Sequence, residues 1–347
     1  VAAVNGIRLP VAEDVAWLPV EEAAHVGRVR REATALAQRL GFAAARAAEV
    51  GLAATEIGTN LHKHARQGAV LLRVSRDGLV SPVLEVLAVD RGPGIGDLDL
   101  AQRDGHTTTG TLGLGLGSLA RLANSRAISS RPGRGTLLLT RFLARTGQPP
   151  DSVTEVAAGL TRPIGTEEVC GDAYAICHAP DRLVLMMCDG SGHGPLAASA
   201  SGTAVRVFQE QPLLGPEEAV ARVHQALRGT RGGAVAVADI DLAARSVRFA
   251  GLGNIAATVV AGDRKQGMVS VPGVAGYQAR TIRSFTHPLP GRATVVLHSD
   301  GLTERWEAEQ VVDLVGEPPL VIAAGLLREA GVRNDDASVV VAKTWQP

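Results

Sequence analysis

Four short stretches in the second half of the sequence set an acid beside a glycine or a second acid. They are Cys170-Gly171-Asp172, Asp189-Gly190-Ser191-Gly192-His193-Gly194, His298-Ser299-Asp300-Gly301-Leu302-Thr303-Glu304 and Asn334-Asp335-Asp336-Ala337-Ser338. Each adjoins an apolar run of strand length, where an unpaired carboxylate is costly. Carboxylates brought together from separate strands repel, and divalent cations are the natural compensation. A set of purely oxygen ligands selects hard ions, Mg²⁺ or Mn²⁺. Two such ions with a water between them would make that water a nucleophile for phosphorus. A single stretch of this kind also reads as a turn; four of them beside four apolar runs form a pattern that turns alone do not require.

The first half carries a different set. Glu56 and Asn60 are four apart in a helical pattern and share a face. An amide oxygen suits Mg²⁺ and a carboxylate can act as a base, although the pair taken alone reads first as the polar edge of an amphipathic helix. The apolar run 83–89 ends in Asp90, followed by Arg91-Gly92-Pro93-Gly94-Ile95-Gly96. A carboxylate there can accept a hydrogen bond from an exocyclic amine such as that of adenine, and glycines let the backbone approach a flat base; the other reading is an ordinary turn. Next comes Thr107-Thr108-Thr109-Gly110-Thr111-Leu112-Gly113-Leu114-Gly115-Leu116-Gly117, leading into a helical pattern. Bare N–H groups at a helix start favour phosphate. The spacing is neither that of a GK[ST] phosphate loop nor that of the dinucleotide fingerprint. Gly133-Arg134-Gly135-Thr136 opens a last strand, where the Thr136 hydroxyl could join the Asp90 contact.

These residues need a scaffold. Val26, Val29, Ala33, Leu36 and Leu40 make one apolar stripe, and Ala47, Val50, Ala54, Ile57 and Leu61 a second. Strands are predicted at 70–74, 83–89 and 136–143, with a short helix at 116–123. Helices first and then strands suggest an α+β sandwich. The polar, Pro-containing stretch Arg145-Thr-Gly-Gln-Pro-Pro-Asp-Ser152 reads as a linker. It gives a first domain over 1–145, a linker over 146–152 and a second domain over 153–347. In the second domain strands are predicted at 173–178, 183–188, 234–240, 247–250, 256–260, 294–298 and 338–342. Helices are predicted at 195–211, 217–227 and 320–329.

Composition narrows the classes. The chain has 347 residues, 46% of them hydrophobic, which suits two buried cores and excludes a disordered chain. Lys and Arg together number 35, as do Asp and Glu, so the basic excess of a general nucleic-acid or anionic-membrane binder is absent. Aromatics are 3%, so Ala, Val and Leu must build the cores. Cys170, Cys177 and Cys188 form an odd set without metal-site spacing. No apolar run is long enough to span a bilayer, and the first residues lack the regions of a signal peptide. The expectation is a cytoplasmic protein with neither nucleic acid nor membrane as partner.

Two resemblances sharpen this reading. Glu56-x-x-x-Asn60, Asp90-x-Gly92-x-Gly94, the lid 110–117 and Gly133-x-Gly135-Thr136 resemble, in order, the four boxes of the GHKL ATPase superfamily. Within that superfamily, residues 90–142 are most similar to the small anti-sigma serine kinases, in particular the switch kinase of bacterial stress-signalling complexes. The resemblance implies a GHKL (Bergerat) α/β sandwich in which Asp90 binds adenine, Asn60 holds Mg²⁺ and Glu56 is the catalytic base. Gly92, Gly94, Gly113, Gly115, Gly117 and Thr136 would complete the ATP site. The second half resembles the SpoIIE-like bacterial branch of the metal-dependent protein phosphatases (PPM). Its matching pieces are Gly171-Asp172-x-Tyr174, Asp189-Gly190-x-Gly192-His193-Gly194, Gly251-x-Gly253-Asn254, Ser299-Asp300-Gly301-Leu302-Thr303-Glu304 and Asp335-Asp336-x-Ser338. This implies an αββα sandwich with two metal ions, Mg²⁺ or Mn²⁺, held by Asp172, Asp189, Asp300, Asp335 and the Gly190 carbonyl. Asp336 would support the site, and His193 is either a ligand or a residue of helix entry.

The function expected from both halves is a bacterial signalling regulator. A kinase-like ATP-binding domain is joined to a protein serine/threonine phosphatase. Its implied partners are phosphorylated STAS-domain proteins or anti-sigma antagonists of sigma-factor partner switching. The alternative is a phosphatase fused to an ATP-binding anti-sigma switch that transfers no phosphate.

Overall fold

The computed structural model describes residues 6–77, 81–98, 115–144, 155–279, 281–332 and 334–345. They divide into two compact units. One runs from residue 12 to 144; the other runs from residue 155 onward and includes the short segment 6–11.

The first unit opens with a strand, β1 (Val11–Pro19), followed by α1 (Ala23–Arg39) and α2 (Ala44–His64). This corrects the expectation that helices come first: Glu13 and Asp14 interrupt the apolar pattern of β1, and Asp14 is matched by Arg73 at 3.2 Å. Strands β2 (Ala69–Arg76) and β3 (Val83–Val89) come next, then α3 (Gly115–Leu122), β4 (Ser125–Arg131) and β5 (Gly135–Phe142). They form one five-stranded sheet in the order β1-β2-β3-β5-β4. β4 was not anticipated because Ser125-Arg-Ala-Ile-Ser-Ser-Arg131 is almost wholly polar; the backbone of β5 recruits it. Both predicted helical stripes are buried: Val29, Ala33 and Leu36 with Val50, Ala54, Ile57 and Leu61 pack on Val70, Leu72, Leu84, Val86 and Phe142.

The second unit contains β6 (Ala157–Arg162), β7 (Asp172–Ala179), β8 (Arg182–Gly190), α4 (Pro195–Glu210), α5 (Pro216–Ala226), β9 (Gly233–Asp241), β10 (Ser246–Leu252) and β11 (Ala256–Ala261). Then follow β12 (Arg264–Met268), β13 (Gly273–Val274), β14 (Gln278–Ala279), β15 (Phe285–Pro288), β16 (Thr294–His298), α6 (Ala308–Val312), α7 (Pro319–Ala330) and β17 (Ala337–Lys343). Two five-stranded sheets form, β15-β10-β9-β8-β7 and β12-β11-β16-β17-β6. Alternation sorts each strand between two cores. Leu183, Leu185 and Met187 of β8 point between the sheets with Val295, Leu297, Val340 and Ala342. Val184, Met186 and Cys188 point the other way, toward Ala200, Ala204 and Phe208 of α4 and Val220 and Val223 of α5. Helix α7 packs on β17 and β6. The result is a helix–sheet–sheet–helix sandwich. On the edge of β7, His178 exchanges backbone hydrogen bonds with Arg8 of the N-terminal segment.

Candidate functional site

Strand parity aims the acids of the second unit. Asp172 and Asp189 are register partners at one end of β7 and β8. Asp189 is two residues past Met187 and Asp172 two before Tyr174, so both continue the face turned toward the other sheet. In that sheet β16 and β17 are antiparallel neighbours, with His298 opposite Val339. Asp300 therefore leaves β16 where Asp335 enters β17. The loops can meet only because residue 301 has no side chain: a Cβ on Gly301 would stand 1.9 Å from the Asp336 carbonyl oxygen.

Asp189, Asp300 and Asp335 line a cavity of about 610 Å³ together with Ser191, Asn254 and Ser270. Asp172 lies beneath, 4% exposed. Gly190 ends β8 beside Asp189, and its N–H donates to the Gly171 carbonyl at 3.2 Å. Asn254 Nδ2 donates to Asp300 Oδ2 at 2.6 Å. Asp336 faces the strand ends: its two oxygens accept the N–H groups of Ile164 and Gly171, each at 2.7 Å. His193 turns to Glu167 at 3.3 Å and is largely exposed.

Electrostatics ties the acids together. Burial pushes the Asp172 carboxyl up to about 7, against the hydroxyls of Ser299 and Ser338, and the charges of Asp336 and Asp300 add to the rise. Burial also pushes Asp189 up to about 9, helped by the charges of Asp172, Asp300 and Asp335. Asp300 is raised by burial and by Asp335. Among the described residues, no three Asp, Glu, His or Cys side chains close into a compact ligand cluster; the acids instead border a shared space. Two observations fit a hard divalent cation there. Asp172 Oδ2 is buried without a hydrogen-bond partner, and the acids raise one another's proton affinity, which a cation would reverse. The donors are all oxygen, as Mg²⁺ and Mn²⁺ prefer.

The first unit assembles its own group. Glu56 and Asn60 are half-buried on α2, and His64 continues their ridge one turn on. The loop after β3 packs on this end of α2, with Arg91 N–H donating to the Arg66 carbonyl at 2.9 Å. Asp90, buried at the end of β3, has both oxygens engaged: Gly92 N–H donates to Oδ1 at 2.6 Å and Thr136 N–H to Oδ2 at 3.2 Å. A carboxylate has lone pairs to spare beyond these. The hydroxyl of Thr136 is paired with Ser130 at 2.8 Å, so it is the backbone N–H of Thr136 that reaches Asp90. Ser130 Oγ also accepts the Ile95 N–H at 2.8 Å, which pins the loop holding Gly92 and Gly94. Gly115 and Gly117 open α3. Gly113, the rest of the lid and the linker 146–152 lie outside the described residues.

Sequence reasoning gave Asn254 no role, although it closes a Gly251-x-Gly253-Asn254 stretch that could have marked it. Ser299 and Ser338, both inside the quoted stretches, likewise received no role of their own.

Comparison with known proteins agrees with this division. The family described as "Histidine kinase-like ATPase domain" matches residues 19–142, and that described as "Stage II sporulation protein E (SpoIIE)" matches residues 179–345. Serine/threonine-protein kinase RsbT of Bacillus subtilis (strain 168) is 33% identical over 102 residues, covering 29% of this chain and 75% of the relative. Phosphoserine phosphatase RsbX of the same organism is 21% identical over 139 residues, covering 39% of this chain and 69% of the relative. The crystal structure of RsbX in complex with magnesium covers 54% of this chain and 94% of its own, with 17% identity and a TM-score of 0.48. Among the described residues, no helix is long and apolar enough to cross a membrane. Through its N-terminal part the chain belongs to the family of histidine kinase-like ATPase domains, and its C-terminal part matches the SpoIIE family over residues 179–345.

Proposed function

We propose that this chain removes phosphate from serine or threonine of a partner protein and, through its kinase-like unit, binds ATP and returns phosphate to such a partner. The carrying observation is the convergence of Asp172, Asp189, Asp300 and Asp335 from four strand ends, with the proton affinities of Asp172, Asp189 and Asp300 raised by burial and by neighbouring acids. Asp172, Asp189, Asp300, Asp335 and the Gly190 carbonyl would hold two ions, Mg²⁺ or Mn²⁺. When bound, such ions supply positive charge for the phosphoryl oxygens and acidify water. The chain's own residues set the stage. Asn254 fixes the direction of Asp300, Asp336 anchors the turns around residues 164 and 171, and the cavity admits the phosphorylated side chain.

In the kinase-like unit, Asp90 would accept the adenine amino group, with Gly92, Gly94 and Thr136 around it. Asn60 would hold Mg²⁺, Glu56 would act as base, and Gly113, Gly115 and Gly117 would offer N–H groups to the phosphates. The units would correspond to 1–145 and 153–347, joined by 146–152. RsbT is a serine/threonine kinase and RsbX a phosphoserine phosphatase. By that analogy the partners are STAS-domain phosphoproteins or anti-sigma antagonists, and three free cysteines suit a reducing cytoplasm.

The test is hydrolysis of a phosphorylated STAS protein by the full chain with Mn²⁺. Release of phosphate that disappears in Asp189→Asn supports the metal assignment; equal release by that variant rejects it. Labelled ATP with the dephosphorylated protein decides the other half. Transfer supports a kinase, whereas a stable ATP-bound complex without transfer identifies a binding switch.

A further inference from the structure

The loop that carries Asp300 is held from behind by a chain of polar contacts that the proposed reaction does not itself use. Trp306, 2% exposed, donates its indole N–H to His298 Nε2 at 3.1 Å. An indole nitrogen can only donate, so Nε2 of His298 is the bare nitrogen and the ring proton sits on Nδ1. Nδ1 lies 2.8 Å from the Ser299 carbonyl, to which it therefore donates. Ser299 is the hub of the site's back wall. Its N–H donates to the Ser338 carbonyl at 3.1 Å, its carbonyl also accepts the Leu302 N–H at 3.2 Å, and its hydroxyl accepts the Ser338 N–H at 3.0 Å. The far end of the loop is closed by Lys265 on β12. Its Nζ donates to the carbonyls of Glu304 and Trp306 at 2.8 and 2.7 Å and sits 3.7 Å from the centre of the indole ring. Asp300 thus rides on a loop gripped at 298–299 and again at 304–306.

We infer that His298, Trp306 and Lys265 are positioning residues that set the direction of the Asp300 carboxylate and so the affinity of the site for a divalent cation. The inference rests on the metal reading of the cavity. An ordinary core could fill the place of His298 with an apolar side chain. A buried imidazole with a defined tautomer, two engaged nitrogens and a tryptophan donor buys direction, because each hydrogen bond fixes a ring angle that packing alone leaves free.

The experiment measures Mn²⁺ affinity of the full chain by calorimetry, with kcat and KM for an aryl phosphate alongside. Trp306→Phe keeps the ring and removes the N–H; the dissociation constant for Mn²⁺ should rise roughly tenfold, the range usual for partners of metal ligands. At saturating Mn²⁺, kcat should recover most of its value. The two amide replacements at 298 separate the links: His298→Asn keeps the donation to Ser299 but loses Trp306 and should weaken Mn²⁺ binding about as much as Trp306→Phe, whereas His298→Gln reaches Trp306 only, loses the Ser299 contact and should bind more weakly still. Lys265→Met, on a half-exposed residue, should weaken Mn²⁺ binding without unfolding the chain. Wild-type Mn²⁺ affinity in Trp306→Phe, His298→Gln and Lys265→Met overturns the inference, even if their melting temperatures fall. Wild-type chain that binds no Mn²⁺, or binds it equally well as Asp189→Asn, overturns instead the metal reading beneath it.

Discussion

Asp172 and Asp189 stand directly opposite each other on adjacent strands of the second unit. Like charges in that relation destabilise a sheet, and here Asp172 is buried and Asp189 half-buried at the edge of an inter-sheet core. In the proposed reading the pair is half of a cation site whose other half, Asp300 and Asp335, arrives from the facing sheet. That reading makes the protein's response to pH depend on metal.

A carboxyl whose pKa is raised by folding favours the folded state while it is protonated. The contribution from Asp172 and Asp189 is therefore complete below their ordinary value of 3.8 and is lost as pH rises through about 7 and about 9. In a chelator, the melting temperature of the second unit should fall between pH 5 and pH 9 more steeply in wild type than in Asp189→Asn. Saturating Mg²⁺ should reverse the trend, because the cation competes with protons and gains affinity as they leave. Identical slopes for the two proteins in chelator would contradict the raised values.

Asp336 should behave in the opposite sense to Asp189. It is 2% exposed and satisfies two backbone N–H groups. Asp336→Ala strands both, at about 1–3 kcal/mol each, so thermal unfolding should show a large loss of stability in chelator. Asp189→Asn relieves repulsion and should leave chelator stability unchanged or higher while abolishing Mn²⁺-dependent hydrolysis. Equal destabilisation by both would merge the two roles assigned here.

The acids were legible because each sits at the junction of an apolar run and a glycine or acid, a pattern that marks a strand end. Parity then carries Asp172 and Asp189 to the correct face without further information. Less was legible where tertiary pairing overrides local composition. β4 is polar and forms because β5 offers it a backbone edge, and β1 tolerates Asp14 because Arg73 neutralises it. The back wall of His298 and Trp306 joins residues eight apart across a loop, a distance at which no periodicity operates. The Thr136 hydroxyl was expected at Asp90 but is taken by Ser130, a residue of the strand that sequence reading missed.

One such tertiary feature predicts a stability cost in the kinase-like unit. Arg73 and Glu85 are register partners, as are Glu85 and Arg141. Their side chains pair at 2.9 Å on each side of Glu85, which is 1% exposed. Removing the shared carboxylate leaves two buried guanidinium groups without it, and breaking a buried pair in this way costs about 3–5 kcal/mol. Denaturant unfolding of Glu85→Ala should show a loss of that order, with Mn²⁺ binding at the other unit retained. A loss below about 1 kcal/mol would mean the network is solvated, as surface pairs are.

The nucleotide assignment is tested most sharply at Gly135, one residue before Thr136. Gly135 has φ of +74°, and a Cβ there would lie 2.1 Å from the Asp90 carbonyl oxygen. Gly135→Ala must therefore shift Asp90 or the start of β5, although it changes no group expected to touch the nucleotide. Asp90→Asn leaves the backbone in place but turns an amide NH₂ toward one of two N–H donors, Gly92 or Thr136, and withdraws a charged acceptor. A mismatched buried donor and a lost charged hydrogen bond together amount to about 3 kcal/mol, or roughly 100-fold in affinity. Titration of a fluorescent ATP analogue should show at least that loss for Asp90→Asn and a loss of about tenfold or more for Gly135→Ala, the strain of a forced left-handed residue being of the order of 1–2 kcal/mol. Both variants should keep a cooperative denaturant transition of the kinase-like unit, which shows that this unit is folded, and Mn²⁺-dependent hydrolysis by the other unit. If Asp90→Asn binds the analogue like wild type while Gly135→Ala does not, the loop is required but Asp90 is not the adenine acceptor. If neither variant loses affinity, the nucleotide sits elsewhere on this unit.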